Sequence, residues 1–251
     1  MAADPAPQAS DEDPVAVPDG AVVTPPSVVV NLGAGNTLTD AGTLSPFGAG
    51  AIGTTLLTGN LDQDPGGILA VDVDMNANLA DSIDMNASGT ASLSGNVALN
   101  FFNLSPVPRS FTIIDDATAI PVQGLGVLNP AVISQITYPG GTDVVLTITG
   151  YDFSASGLNQ NQTNIGDNLN AIFAAGSGGM PSVLLGLANL TSLSGLAGAL
   201  DQLSPEVYNY TKIDTLFAAE QFSSDMMSCR VADGSGASFI HEGQCVWARA
   251  R

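Results

Sequence analysis

Positive charge is what this chain has least of. Lys212, Arg109, Arg230, Arg249 and Arg251 stand against 24 acidic residues in a chain of 251, for a net charge of −19. Such a surface repels phosphate backbones and anionic headgroups, and no basic patch relieves it, so nucleic acid is not an expected partner. Histidine is scarcer still, with His241 alone. A serine nucleophile would need it as base, no elbow motif stands beside any serine, and His241 reads as a loop residue. No apolar run reaches the roughly 18 residues that a spanning helix needs. The first residues, MAADPAPQASDEDP, have neither the basic nor the apolar region of a secretory signal, so export implies a signal removed or lying outside this sequence. The stretches GAGN (33–36) and GSGG (176–179) lack the lysine and the strand-to-helix setting of a phosphate loop and read as turns.

Cysteine is limited to Cys229 and Cys245, in CRVADGSGASFIHEGQC. The spacing is wrong for a zinc site, which would need two ligands beyond the cysteines, and His241 is the only histidine. Oxidised, the pair would close a loop of about 17 residues and contribute roughly 3 kcal/mol. A disulfide is the expectation, and with it an oxidising compartment.

What the chain does have is small and apolar residues, 28 glycines and 45% hydrophobic content with only 12% charged. That is the composition of stacked short strands with frequent corners. The longest alternating stretch is GGILAVDVDMNANLADSIDMNASGTASLSGNVALNFFNL, 66–104. Ile68, Ala70 and Asp72 interleave with Leu69, Val71 and Val73, and Ala91, Leu93, Gly95, Val97 and Leu99 fall on one face. A period of two is a strand signature, and Asn76, Asn78, Asn86, Gly89 and Gly95 mark the corners. Further strands are expected at SVVVNL, TLLTGNL and FTIIDDA, and at Ile133–Tyr138 and Asp143–Thr149 around the turn PGGT. No helical period interrupts 28–153, which disfavours helix-linked parallel sheets. A sandwich and a parallel β-helix both remain open on periodicity.

Ahead of this, 1–27 carries six prolines among alanine and aspartate and reads as a disordered linker. Behind it, 154–228 turns helical. Ile165, Leu169, Ile172 and Phe173 recur at spacings of three and four, Pro181 suits a first helical turn, and Ser204, Pro205 and Glu206 form a helix start. Val207, Tyr210, Ile213, Phe217 and Met226 are expected to pack as one stripe, bordered by Phe222.

Carboxylates are the remaining chemical candidates. Asp72 and Asp74 share a strand face, as the acids of a polysaccharide-cleaving site would, but that chemistry commonly needs a base and the strand region offers only Arg109. With Asp62, Asp64, Asp81 and Asp84 they could hold calcium, though the glycine-aspartate repeat of calcium-binding rolls is missing. The chain reads as a non-enzyme without cofactor or metal.

Two late segments carry a resemblance. GLAGALDQLSPEVYNYTKIDTLFAAEQFSSDMMSCRVADG, followed by FIHEGQCVWARAR, resembles the junction between passenger and outer-membrane barrel in bacterial autotransporters (type V secretion). LLTGNLDQDPGGILAVDVD, LADSIDMNASGTASLSGNVAL, FTIID and DVVLTITGYDF resemble the last passenger coils, and LNQNQTNIGDNLN the helical segment after them. The resemblance covers about 55–251. It implies a right-handed parallel β-helix end with an autochaperone-like region over 28–153, a helical connector over 154–228, and a disulfide-linked hairpin over 229–251 leading to a barrel. In that family Trp247 would stand near the barrel start, so the chain is expected to be a passenger fragment or truncated member. The implied role is a structural segment at the surface of a Gram-negative bacterium that templates β-helix folding. Its implied partners are a missing barrel and an upstream passenger, and its open upstream edge is expected to self-associate. A stand-alone adhesin binding a host or glycan ligand is the alternative.

Overall fold

The computed structural model describes residues 15–17, 22–23, 29–176, 179–204 and 206–227. The chain winds in successive coils. The first holds β1 (Val15–Val17), β2 (Val22–Val23) and β3 (Val29–Asn31), and the second β4 (Thr37–Asp40), β5 (Thr43–Leu44) and β6 (Thr54–Thr58). The third holds β7 (Asn60–Gln63), β8 (Ile68–Asp74), the short β9 (Leu79–Ala80) and β10 (Ser82–Asp84). The fourth holds β11 (Thr90–Leu93), β12 (Asn96–Asn103) and β13 (Arg109–Asp115), and β14 (Ala119–Gln123) and β15 (Gly126–Val127) begin another. Each coil adds one strand to each of three sheets, ordered β1-β4-β7-β11-β14, β2-β5-β8-β12-β15 and β3-β6-β10-β13. Pairing between successive coils is parallel throughout. The result is a β-solenoid of about four turns, and the sandwich left open by periodicity is set aside.

The core is a set of columns one coil high. Leu44, Leu69 and Val97 follow one another in the second sheet, as do Val71 and Leu99. Ile83 and Ile114 do so in the third, and all of these are buried. Side chains alternate across each strand, so one register error would turn a whole column outward. Corners stack as well, with Ile68 N donating to Gly42 O at 2.8 Å and Asn96 N to Gly67 O at 2.9 Å.

After β15 the winding stops. β16 (Val132–Thr137) and β17 (Val144–Tyr151) form a hairpin around a 3-10 turn at Pro139–Gly141, and β17 lies antiparallel to β13. This is the pair of strands expected around PGGT. Then come α1 (Gln160–Ala174), α2 (Pro181–Ala188) and α3 (Leu193–Leu203). Asn159 caps α1 with a reciprocal box, Gln162 N to Asn159 Oδ1 and Asn159 N to Gln162 Oε1, both 2.9 Å. Leu184, Leu187, Leu196 and Leu200 are buried. Gly186 has open space where a Cβ would sit. Gly186→Ala should therefore stabilise the protein by about 0.5–1 kcal/mol in urea unfolding, through helix propensity alone.

A second unit runs from Ser204 onward and is described through α4 (Glu206–Met227). Its apolar residues do not form the expected packed stripe where they are described. Ile213, Leu216, Phe217 and Phe222 are exposed, and Phe222, five residues past Phe217, faces a different side of the helix. Val207, Tyr210 and Met226 have side chains outside the described set. So do Cys229, Cys245 and the whole hairpin expected over 229–251.

The linker expected over 1–27 contains β1 and β2. Both are short valine segments that extend the parallel ladder at β4 and β5. Composition averaged over that range hid them, because their pairing groups are supplied by the solenoid edge rather than by their own neighbours.

Candidate functional site

The site that the fold builds lies at the C-terminal end of the solenoid, where parallel growth is stopped. β12 is eight residues long, but β15 pairs only its first part, at Asn96 and Val97. The edge beyond would be left with unpaired amides and carbonyls. Two asparagine side chains take the place of the missing strand. Asn129 Oδ1 accepts from Leu99 N at 2.8 Å, and Asn129 Nδ2 donates to Leu99 O at 2.8 Å. Asn189 repeats this one step on, accepting from Phe101 N at 2.7 Å and donating to Phe101 O at 3.1 Å. A primary amide presents one acceptor and two donors, so it can imitate a peptide unit on a strand edge. Asn129 also donates to Ala188 O at 2.9 Å, tying the edge to the end of α2, where Asn189 is the C-cap.

Beneath this clamp an aromatic cluster closes the bore. Phe101 meets Tyr151 edge-on with centroids 5.7 Å apart, Tyr151 stacks on Phe153, and Phe173 of α1 packs edge-on against both. Phe153 is fully buried, and its N–H donates to Asn170 Oδ1 at 2.9 Å. Burial pushes the Tyr151 phenol well above its usual range, with the Ser105 amide acting the other way. Burial also pushes Asp152 up, but donors from Ser154 and Asn170 outweigh it and hold the carboxyl below the ordinary range. The corner from β17 into α1 is thus fixed by charge-assisted hydrogen bonds.

Among the described residues, the carboxylates weighed from the sequence do not gather into a group of three or more, although Asp81 reaches the Asp72 amide. Asp72 and Asp74 do share the outer face of β8, yet each is engaged in structure. Asp72 accepts from Gly50 N at 2.6 Å and from Asn100 Nδ2 at 2.7 Å. Asp74 accepts from Ala77 N, Asn103 Nδ2 and Asn76 N, which hold it below the usual carboxylate range, the Ala77 amide most of all. Asp62 lies in the first sheet between Thr39 and Ser92, and Asp84 in the third beside Asp115. Asp64 follows β7 at a corner, and Asp81 is buried under the 45–53 loop. Among the described residues, no group of three or more His, Cys, Asp or Glu side chains is placed to hold a metal.

Asn129 and Asn189 were not singled out in the sequence. The groups they cap lie 30 and 88 residues away, so no local pattern marks them. No known family matches this chain, and no curated protein matches it either. At this end of the solenoid the two asparagines pair the part of the β12 edge that β15 leaves open.

Proposed function

We propose that this chain is a non-enzymatic exported scaffold, the C-terminal end of an autotransporter-like passenger that winds as a right-handed β-helix. The observation that carries the reading is the asymmetry of the solenoid. Its last coil is sealed by the reversed hairpin β16–β17, by Asn129 and Asn189, and by the aromatic cluster. Growth can proceed only away from that seal. A coil added upstream would pair with the unpaired groups of the coil before it and bury a new column of apolar residues, which needs no external energy source. The sealed end is then the template on which the passenger folds. The low content of cations fits a surface segment that neither binds polyanions nor sticks to anionic lipid. In this reading α4 and the Cys229–Cys245 loop form the connector to an outer-membrane barrel.

Deletion of 66–104 from the full-length gene product tests this. The upstream passenger should reach the cell surface but become sensitive to added protease. An unchanged digestion pattern would sink the template reading, and saturable glycan binding by the isolated chain would favour an adhesin instead.

A further inference from the structure

The loop 45–53, SPFGAGAIG, leaves the second coil at the turn between the second and third sheets and lies across the third coil. It is tied at four points. Pro46 O accepts from Thr55 Oγ1, and Gly53 O accepts from Ser82 N at 3.0 Å. The other two ties end on carboxylates, Gly50 N to Asp72 Oδ2 at 2.6 Å and Gly53 N to Asp81 Oδ1 at 3.0 Å. Gly53 is held close, since a Cβ there would sit 2.6 Å from the Phe47 ring. The middle of the loop, 49–51, is exposed, while Asp72 is only 5% exposed and Asp81 not at all.

Two carboxylates are therefore covered by a glycine-rich loop, and Asp81 is also held to β8, because its Oδ2 accepts from the Asp72 backbone N–H at 3.1 Å. Of the segments around Asp81, the loop and the start of β6 carry no charge, nor do Ala80 and Ser82. Asp72 on β8 is the charged side chain acting on it, and it acts to repel. Arg109, the one lysine or arginine before residue 204, lies on β13, which packs beside β9, and it does not offset that repulsion. A buried pair of like charges without a counter-ion favours holding a proton.

We propose that 45–53 is a strap latched by Asp72 and Asp81, which binds one proton when closed and releases it on opening, so that the strap loosens as the medium passes from acidic to neutral. The sign follows from linkage. Burial, then repulsion from Asp72, pushes Asp81 up to about 6 in the closed state, against an ordinary 3.8 when water reaches it, while the Gly53 and Asp72 amides pull the other way. A group whose folded value is raised favours the closed form below its free value, and that preference is lost as pH rises through the closed value. Between pH 5 and pH 7.5 these two values make opening roughly tenfold easier.

Amide hydrogen exchange on the full chain reads this directly, with rates corrected for intrinsic pH dependence. The Gly50, Gly53 and Asp72 amides should lose about tenfold in protection from pH 5 to pH 7.5, while amides of β12 keep theirs. Asp81→Asn should flatten the profile. Asp72→Asn can still accept from Gly50 and pair with a flipped Asn100 amide, so it should keep the fold and move the midpoint down. Protection that is flat with pH, or that falls equally in β12, would overturn the proposal. So would an Asp72→Asn midpoint that does not move, which decides the matter if Asp81→Asn fails to fold.

Discussion

Gly89→Ala is expected to cost about 3 kcal/mol or more and to lower the urea midpoint accordingly, a large effect for adding one methyl group. Gly89 is buried at the corner between the third sheet and the first. A Cβ there would fall inside van der Waals contact of Gly59 O and Gly59 C, and lie 2.9 Å from Asn60 N. These are backbone atoms, so no side chain can rotate away. Nor can the backbone shift freely, because Asn60 N donates to Asn36 O at 2.7 Å, Thr90 N to Asn60 Oδ1 at 2.9 Å, and Thr118 N to Gly89 O at 2.8 Å. Moving one corner by half an ångström strains the ladder of the coils above and below. Gly124→Ala is the matched control, since its nearest atom to a new Cβ is Leu93 O at 3.3 Å. That change should cost less than about 1 kcal/mol. Equal unfolding curves for the two variants would show that corner stacking does not hold the coils together.

The same close stacking explains why the strands were legible. Alternation in 66–104 arises because each strand puts one face into the bore, and Leu69, Val71, Val73, Val97 and Leu99 are indeed buried. The first helix was legible for a similar reason, the three- and four-residue period of Ile165, Leu169, Ile172 and Phe173, whereas its Asn159 cap is seen only in the structure. What remained hidden is everything settled by the next coil. Asp72 reads as an outward residue of β8, yet it is buried because the loop of an earlier coil covers it. Asp40 and Gln63 point inward in a column that continues with Leu93, so sequence alternation alone mistakes polar members of the stack for surface. Burial, more than the amide of Gly42 can offset, pushes the Asp40 carboxyl above its ordinary range, and the charge of Asp64 adds to this. β1 and β2 were missed because two or three residues carry no period, and only the neighbouring edge makes them strands.

The clamp at the sealed end is the other place where one side chain should matter greatly. Asn129→Ala would strand Leu99 N–H, Leu99 C=O and Ala188 C=O in a region where Asn129 is 3%, Leu99 2% and Ala188 0% exposed. Each buried group left without a partner costs about 1–3 kcal/mol, so the variant should lose roughly 3–5 kcal/mol. Asn189→Ala removes two bonds that are part-buried rather than buried, and should lose less, about 1–2 kcal/mol. Asn129→Asp separates size from chemistry. It can still accept from Leu99 N, but it loses both donors and turns a carboxylate towards two carbonyls, so it should be no better than alanine. The two sites will not add, because both hold the same edge of β12 and the same end of α2. In the double variant the freed edge has unpaired groups at Leu99 and Phe101, and it should associate with other chains in a concentration-dependent way seen by sedimentation. A double variant that stays monomeric and unfolds like the parent would mean that α1–α3 and the aromatic cluster seal the solenoid without the amides. A less stable and self-associating one would identify the two asparagines as the residues that end the β-ladder.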